Sequence, residues 1–146
     1  RLIGRALRSV VDMEKLGRHT ITIDCDVIQA DGGTRCASIT GGYVALVLAV
    51  RKLIDMGRIH DNPVQDYVAA ISAGLWNGEL ILDLDYDEDC MAEIDSNFIV
   101  SGNGNFIEIQ ATGEQHPFNR DQILNLMDMA SAGCQKLIEL QKRVLE

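Results

Sequence analysis

The stretch "DCDVIQADGGTRCASITGGYVALVLAV", Asp24 to Val50, decides the fold. Just upstream and into it, "HTITIDCDVIQ" alternates Ile21, Ile23, Cys25 and Val27 with polar neighbours, which predicts a half-buried strand. Downstream, Ile39, Tyr43, Leu46, Val47, Val50 and Ile54 recur at helical spacing, which predicts a helix from about Thr34 to Met56. Between the two, Gly32 and Gly33 free the backbone to turn, and Thr34 is placed to cap the helix. The first N–H groups of a helix lack intrahelical acceptors and carry about half a positive charge. An anion there would meet main-chain donors, the Thr34 hydroxyl and Arg35, whose planar fork suits phosphate oxygens. The same residues also make a plain turn and cap, and neither GxxxxGK[ST] nor GxGxxG is present.

Working outward, "RLIGRALRSVVD" is in helical phase from its second residue, with no capping residue ahead of it. The reading places the start of this helix upstream of Arg1. Asn62-Pro63 marks a loop. "YVAAISAGLW" and "ELILDLDY" flank Asn77-Gly78, and "SNFIVSG" and "NFIEIQ" flank Asn103-Gly104, which predicts two hairpins and four strands in a run. A final helix opens at Asn119, with Gln122 as capping-box partner and an apolar face of Ile123, Leu126, Met127, Ala130, Cys134, Leu137 and Ile138. Strands in a run with helices around them predict an α+β layer structure, read as one domain over residues 1–146.

The chain has 146 residues, and its net charge of −9 is concentrated in one place. Glu79 to Asp95 hold eight carboxylates and no Lys or Arg; the remainder has 13 basic against 14 acidic residues. The acidity is therefore local and does not exclude RNA as a partner. No run approaches the ~18 apolar residues of a membrane span. Cys25, Cys36, Cys90 and Cys134 show no metal-site spacing and read as buried thiols of a reducing cytoplasm.

In "LILDLDYDEDCMAEID" the alternation sets Asp83, Asp85 and Asp87 on one strand face. These three match the first, third and fifth positions of a calcium loop, but Glu88 replaces its glycine and Ile94 its final glutamate. Mg²⁺ asks for only one or two carboxylates, and Asp89 and Asp95 flank a short turn. By spacing alone a solvated acidic edge fits equally well. Arg1, Arg5 and Arg8 share a helix face that suits either RNA phosphates or solvent.

Taken together, "DCDVIQADGGTRCASITG", "NPVQDYVAAISAG", "NGELILDLDYDEDCMAEID" and "GNGNFIEIQATGEQHPF" resemble bacterial ribonuclease PH, in the family's order and over nearly the whole chain. The resemblance implies an α+β sandwich of the ribosomal protein S5 domain 2-like kind, here lacking the family's upstream N-terminal part. It implies a phosphorolytic 3′-exoribonuclease that trims tRNA precursors with inorganic phosphate, releases nucleoside diphosphates, and works as a hexameric ring built as a trimer of dimers. It sets Gly33, Thr34 and Arg35 on the phosphate-binding turn. Asp89 and Asp95 fall on two active-site aspartates associated with a divalent cation such as Mg²⁺. The alternative is a catalytically silent, exosome-like ring subunit that binds RNA or partners; such chains tend to have lost the anion turn or an aspartate.

Overall fold

The computed structural model describes residues 1–146. Two short helices, α1 (Leu2–Arg8) and α2 (Met13–Leu16), precede a long one, α3 (Thr34–Asp55). Strands β1 (Val68–Trp76) and β2 (Glu79–Leu82), helix α4 (Tyr86–Met91), strands β3 (Ile94–Ser101) and β4 (Phe106–Gly113), and helix α5 (Arg120–Leu145) follow. The sheet runs β2-β1-β3-β4, with every neighbouring pair antiparallel.

Strand β1 organises the interior because both of its faces are covered. Val68 and Ala70 join the core built by α1 and α3, with Ile39, Tyr43, Leu46 and Val50. Ala69, Ile71, Ala73 and Leu75 join the core under α5, with Leu126, Ala130, Cys134 and Ile138. Period-2 alternation thus sends successive residues into two different cores, and a run of small apolar residues is what such a strand requires. Each large side chain so buried is worth about 1.5–3 kcal/mol. The two helical layers are also tied by one polar side chain: buried Gln141 of α5 donates to Thr40 O of α3 and to Val68 O of β1, both at 2.9 Å.

The predicted hairpins are present. Asn77 (φ 52°) and Gly78 (φ 77°) make a two-residue turn with both central residues left-handed, the form that matches strand twist. The Asn119–Gln122 capping box opens α5 as its sequence indicates. α3 is apolar and long enough by composition to cross a bilayer; here its apolar stripe is spent against α1, the sheet and α5.

Three expectations are corrected. The alternating segment 19–29 forms no strand. Ile21 and Ile23 do turn toward the α1–α3 core, but no chain lies beside them to complete a ladder. Secondly, β2 ends at Leu82 instead of continuing to Tyr86. Asp83 takes φ 62°, which breaks the strand, so Asp83, Asp85 and Asp87 do not share one strand face. The run of four strands is accordingly interrupted by α4 between β2 and β3. Thirdly, the cysteines are not uniformly buried: Cys36 and Cys134 are, Cys25 is half-buried and Cys90 is exposed.

The thiols carry a direct prediction. Burial pushes Cys36 up to about 12, opposed by Arg35 and reinforced by Asp83 and Asp95. Burial, with Cys36 adding, pushes Cys134 up to about 12 as well. Nucleophilic reactivity follows the thiolate. Titration of the native protein with an aromatic disulfide reagent at pH 8 will modify Cys90 first, and Cys36 and Cys134 only on unfolding. Equal native rates for all four would contradict this packing.

Candidate active site

The site forms where α3 begins, at a junction that glycine chemistry makes possible. Gly33 (φ 67°) is the N-cap residue of α3, and no side chain caps that turn. Thr34 is therefore the first helical residue and not the cap expected of it. Half-buried Thr34 and exposed Arg35 follow directly on the open N-terminus. A Cβ on Gly32 would fall onto the Leu84 carbonyl, with Asp85 C only 2.8 Å away. The turn thus lies backbone to backbone against the segment that leaves β2. A Cβ on Gly33 would meet Ser72 Oγ at 3.4 Å and Asp83 Oδ1 at 3.6 Å, so a hydroxyl and a carboxylate flank the turn. Ser72 is buried and accepts from Leu84 N at 3.1 Å, while its carbonyl accepts from Asp83 N at 2.8 Å.

A second glycine explains how the acidic segment reaches the same place. Gly74 of β1 lies opposite Asp95 of β3. With no side chain of its own, Gly74 leaves room that Leu84 fills: a Cβ there would sit 2.8 Å from Leu84 Cδ1. Leu84 is 1% exposed. Anchored by that side chain, the chain turns into α4 next to Asp95. Asp85 caps α4, accepting from Glu88 N at 2.9 Å, and Glu88 accepts from Asp85 N at 3.0 Å. Asp87, Glu88 and Asp89 occupy the first turn, where the helix dipole favours negative charge. The sequence signal for this helix was the Asp-x-x-Glu spacing of Asp85 and Glu88, which strand alternation masked.

The result is an acidic couple facing a cation. Burial raises Asp95 above its ordinary value, followed by repulsion from Asp89; Arg35 opposes, and Glu114 adds. Asp95 Oδ1 is buried with no hydrogen-bond partner. A proton shared between the two carboxylates, or a cation, would satisfy it. The fold thus brings Asp89, Asp95 and Arg35 within electrostatic reach of one another, with Asp83 acting on the same first turn of α3 through Cys36.

The orphaned oxygen and the paired carboxylates fit a divalent ion that keeps water and phosphate as its remaining ligands. No group of three or more His, Cys, Asp or Glu side chains converges into a closed metal cage. The arginine-bearing face of α1 and the imidazole of His19 lie away from this site. Arg5 pairs with Glu108 on β4 at 2.9 Å, and His19 Nε2 lies 3.1 Å from Arg58 O.

Two family profiles match this chain: 3′ exoribonuclease family, domain 1, over residues 1–52, and 3′ exoribonuclease family, domain 2, over residues 66–133. The glycine turn falls in the first and the aspartates in the second. The chain is 59% identical over 145 residues to the ribonuclease PH of Bacillus pumilus, covering 99% of this chain and 60% of that protein. It is 56% identical over 146 residues to the ribonuclease PH of Bacillus subtilis, with the same coverage of 99% and 60%. The chain therefore spans 60% of the length of these curated relatives. Among solved structures, an archaeal exosome core superposes at TM-score 0.72 and 20% identity, over 97% of this chain and 61% of that one. The Archaeoglobus fulgidus exosome with RNA bound to the active site gives 0.71 at 17% identity, over 95% and 58%. These distant likenesses agree with the α+β fold described above. With both profiles of one family matched in order, the chain belongs to the 3′ exoribonuclease family, and it is similar in sequence to bacterial ribonuclease PH.

Proposed function

We propose that this chain carries the catalytic centre of a phosphate-dependent 3′-to-5′ exoribonuclease acting on tRNA precursors. The observation that supports this reading most is the meeting of an uncapped helix start, Gly33 to Arg35, with the Asp89–Asp95 couple. Phosphorolysis must bring two anions together, and unit charges 4 Å apart repel by about 4 kcal/mol at an effective dielectric near 20. Main-chain donors at the start of α3, the Thr34 hydroxyl and Arg35 would hold the attacking phosphate. Asp89 and Asp95 would hold a Mg²⁺. When bound, the ion supplies charge neutralisation at the phosphodiester.

A phosphate oxygen attacks the phosphorus of the last nucleotide, the bond from that phosphorus to the preceding 3′-oxygen breaks, and a nucleoside diphosphate leaves. The 3′-oxygen takes a proton; an aspartate that does not ligate the ion would instead serve as its general acid. No covalent nucleophile is required. The same family reading carries a homohexameric ring, to be checked by sedimentation, and a cytoplasmic setting. Retention of Thr34, Arg35, Asp89 and Asp95 together favours this reading over a silent ring subunit.

The test is a precursor tRNA incubated with the protein and Mg²⁺, with and without phosphate. Nucleoside diphosphates will accumulate only when phosphate is present; shortening that ignores phosphate overturns the proposal. Arg35→Ala will lower kcat/KM for phosphate by about 10–100-fold, the loss expected for hydrogen bonds to a charged group. Its RNA affinity will stay near wild type. Equal losses in both would remove Arg35 from the phosphate site.

A further inference from the structure

Asp31 heads the glycine motif, yet the phosphate reading gives it no task. It is exposed, and its Oδ1 accepts two main-chain hydrogen bonds, from Gly32 N at 3.1 Å and from Tyr86 N at 2.7 Å. Gly32 belongs to the anion turn. Tyr86 is the first residue of α4, the helix that carries Asp89 one turn later. The two halves of the site, 55 residues apart in the chain at this contact, are thus bridged by a single carboxylate oxygen.

α4 is held from its two ends and not by a buried face of its own. The helix has six residues and buries none of them. Its capping box, Asp85 with Glu88, is internal and fixes its shape but not its place. Its start is placed by Leu84 seated over Gly74, by the close backbone approach of Gly32 to Leu84 and Asp85, and by the Asp31 bond; its end is placed by buried Ala92, by Glu93 N donating to Leu75 O at 2.7 Å and by Gln115 Nε2 donating to Met91 O at 3.3 Å. Of these, the Asp31 bond is the one that joins the glycine turn to α4 through a side chain.

We infer that Asp31 is a positioning residue: it sets the separation between the phosphate-binding turn and the Asp89–Asp95 couple. The inference rests on the phosphorolytic reading of the same site. A carboxylate that merely stabilised the fold would affect melting alone, whereas a positioning residue alters how efficiently phosphate is used.

The experiment compares wild type, Asp31→Ala and Asp31→Asn by amide hydrogen exchange, by affinity for RNA, and by kcat and KM for inorganic phosphate. In D31A, exchange at Tyr86 N–H rises at least about tenfold, kcat/KM for phosphate falls about tenfold or more, and RNA affinity holds. D31N keeps an acceptor oxygen and restores both quantities to within about threefold of wild type. Should D31A fail to fold, Asp31→Glu, which displaces the same acceptor by one methylene, supplies the comparison. Wild-type exchange at Tyr86, or wild-type phosphate use, in the displaced-acceptor variant overturns the inference. If the wild-type protein shortens RNA without phosphate, the phosphorolytic reading fails. A Tyr86 N–H that still depends on Asp31 in that case marks a fold contact only, and the positioning role is refuted separately.

Discussion

Asp95→Asn will make the protein more stable and nearly inactive. The carboxylate is held above its ordinary range by burial and by Asp89, so the folded state favours its protonated form. Stability from such a group is fully present below the ordinary carboxylate pKa and is lost as pH rises through the raised value in the folded protein. At neutral pH the ionised side chain therefore works against folding, and a permanently neutral amide of the same shape removes that cost. Melting in a chelating buffer will show a gain of a few degrees at pH 7 that disappears in acid. In the RNA assay the same variant will lose about 10²–10⁴ in kcat, the range for removing a general acid or base. Asp89→Asn will relieve the same repulsion with a smaller gain, because Asp89 is exposed. A variant destabilised at neutral pH, with activity retained, would show that Asp95 is an ordinary structural carboxylate.

Gly32→Ala will be the most damaging single methyl in the site. Its Cβ would fall onto the carbonyl oxygen of Leu84 and within 2.8 Å of Asp85 C. Backbone cannot step aside as a flexible side chain does, and Leu84 is itself fixed in the core by its side chain. The turn and the start of α4 must separate, at a cost of ~3 kcal/mol, the upper range for overpacking. Urea unfolding will register that loss, and affinity for inorganic phosphate will fall with it. At Gly41, where an added Cβ would meet nothing within 4 Å, alanine is the matched control and will be tolerated or mildly stabilising. Equal stability for the Gly32 variant and wild type would disprove the close approach.

Much of this architecture is legible in the sequence wherever side-chain periodicity and burial coincide. α3 and α5 begin within a residue of their expected starts, since their apolar stripes and end signals agree. Both hairpins are signalled by Asn-Gly pairs, but only Asn77-Gly78 forms a two-residue turn; Asn103-Gly104 sits inside a four-residue connection between Ser101 and Phe106, with Gly104 alone at positive φ. Alternation fails where it reports burial without hydrogen bonding. Ile21 and Ile23 are turned toward the core, yet no neighbouring chain pairs with that segment. Leu84 extends the pattern of Leu80 and Leu82, but it reaches the core by filling the space over Gly74 after the strand has ended. The glycine turn and the two aspartates of the proposed site are named in the sequence by their motifs. The bridge from Asp31 to Tyr86 cannot, because a main-chain hydrogen bond to a residue so distant leaves no local spacing to detect. Thr34 shows the reverse: it looks like a cap, but Gly33 occupies the capping position and leaves the helix start open.

The two aspartates stand on unequal foundations. Asp95 lies in β3, hydrogen-bonded on both sides by β1 and β4 and able to move only if the sheet opens. Asp89 rides on a six-residue helix that contributes nothing to either core. Uncoiling that one turn would dismantle the acidic couple while the sandwich stayed intact. Competence of the proposed centre would therefore be gained or lost at far less free energy than unfolding the protein requires.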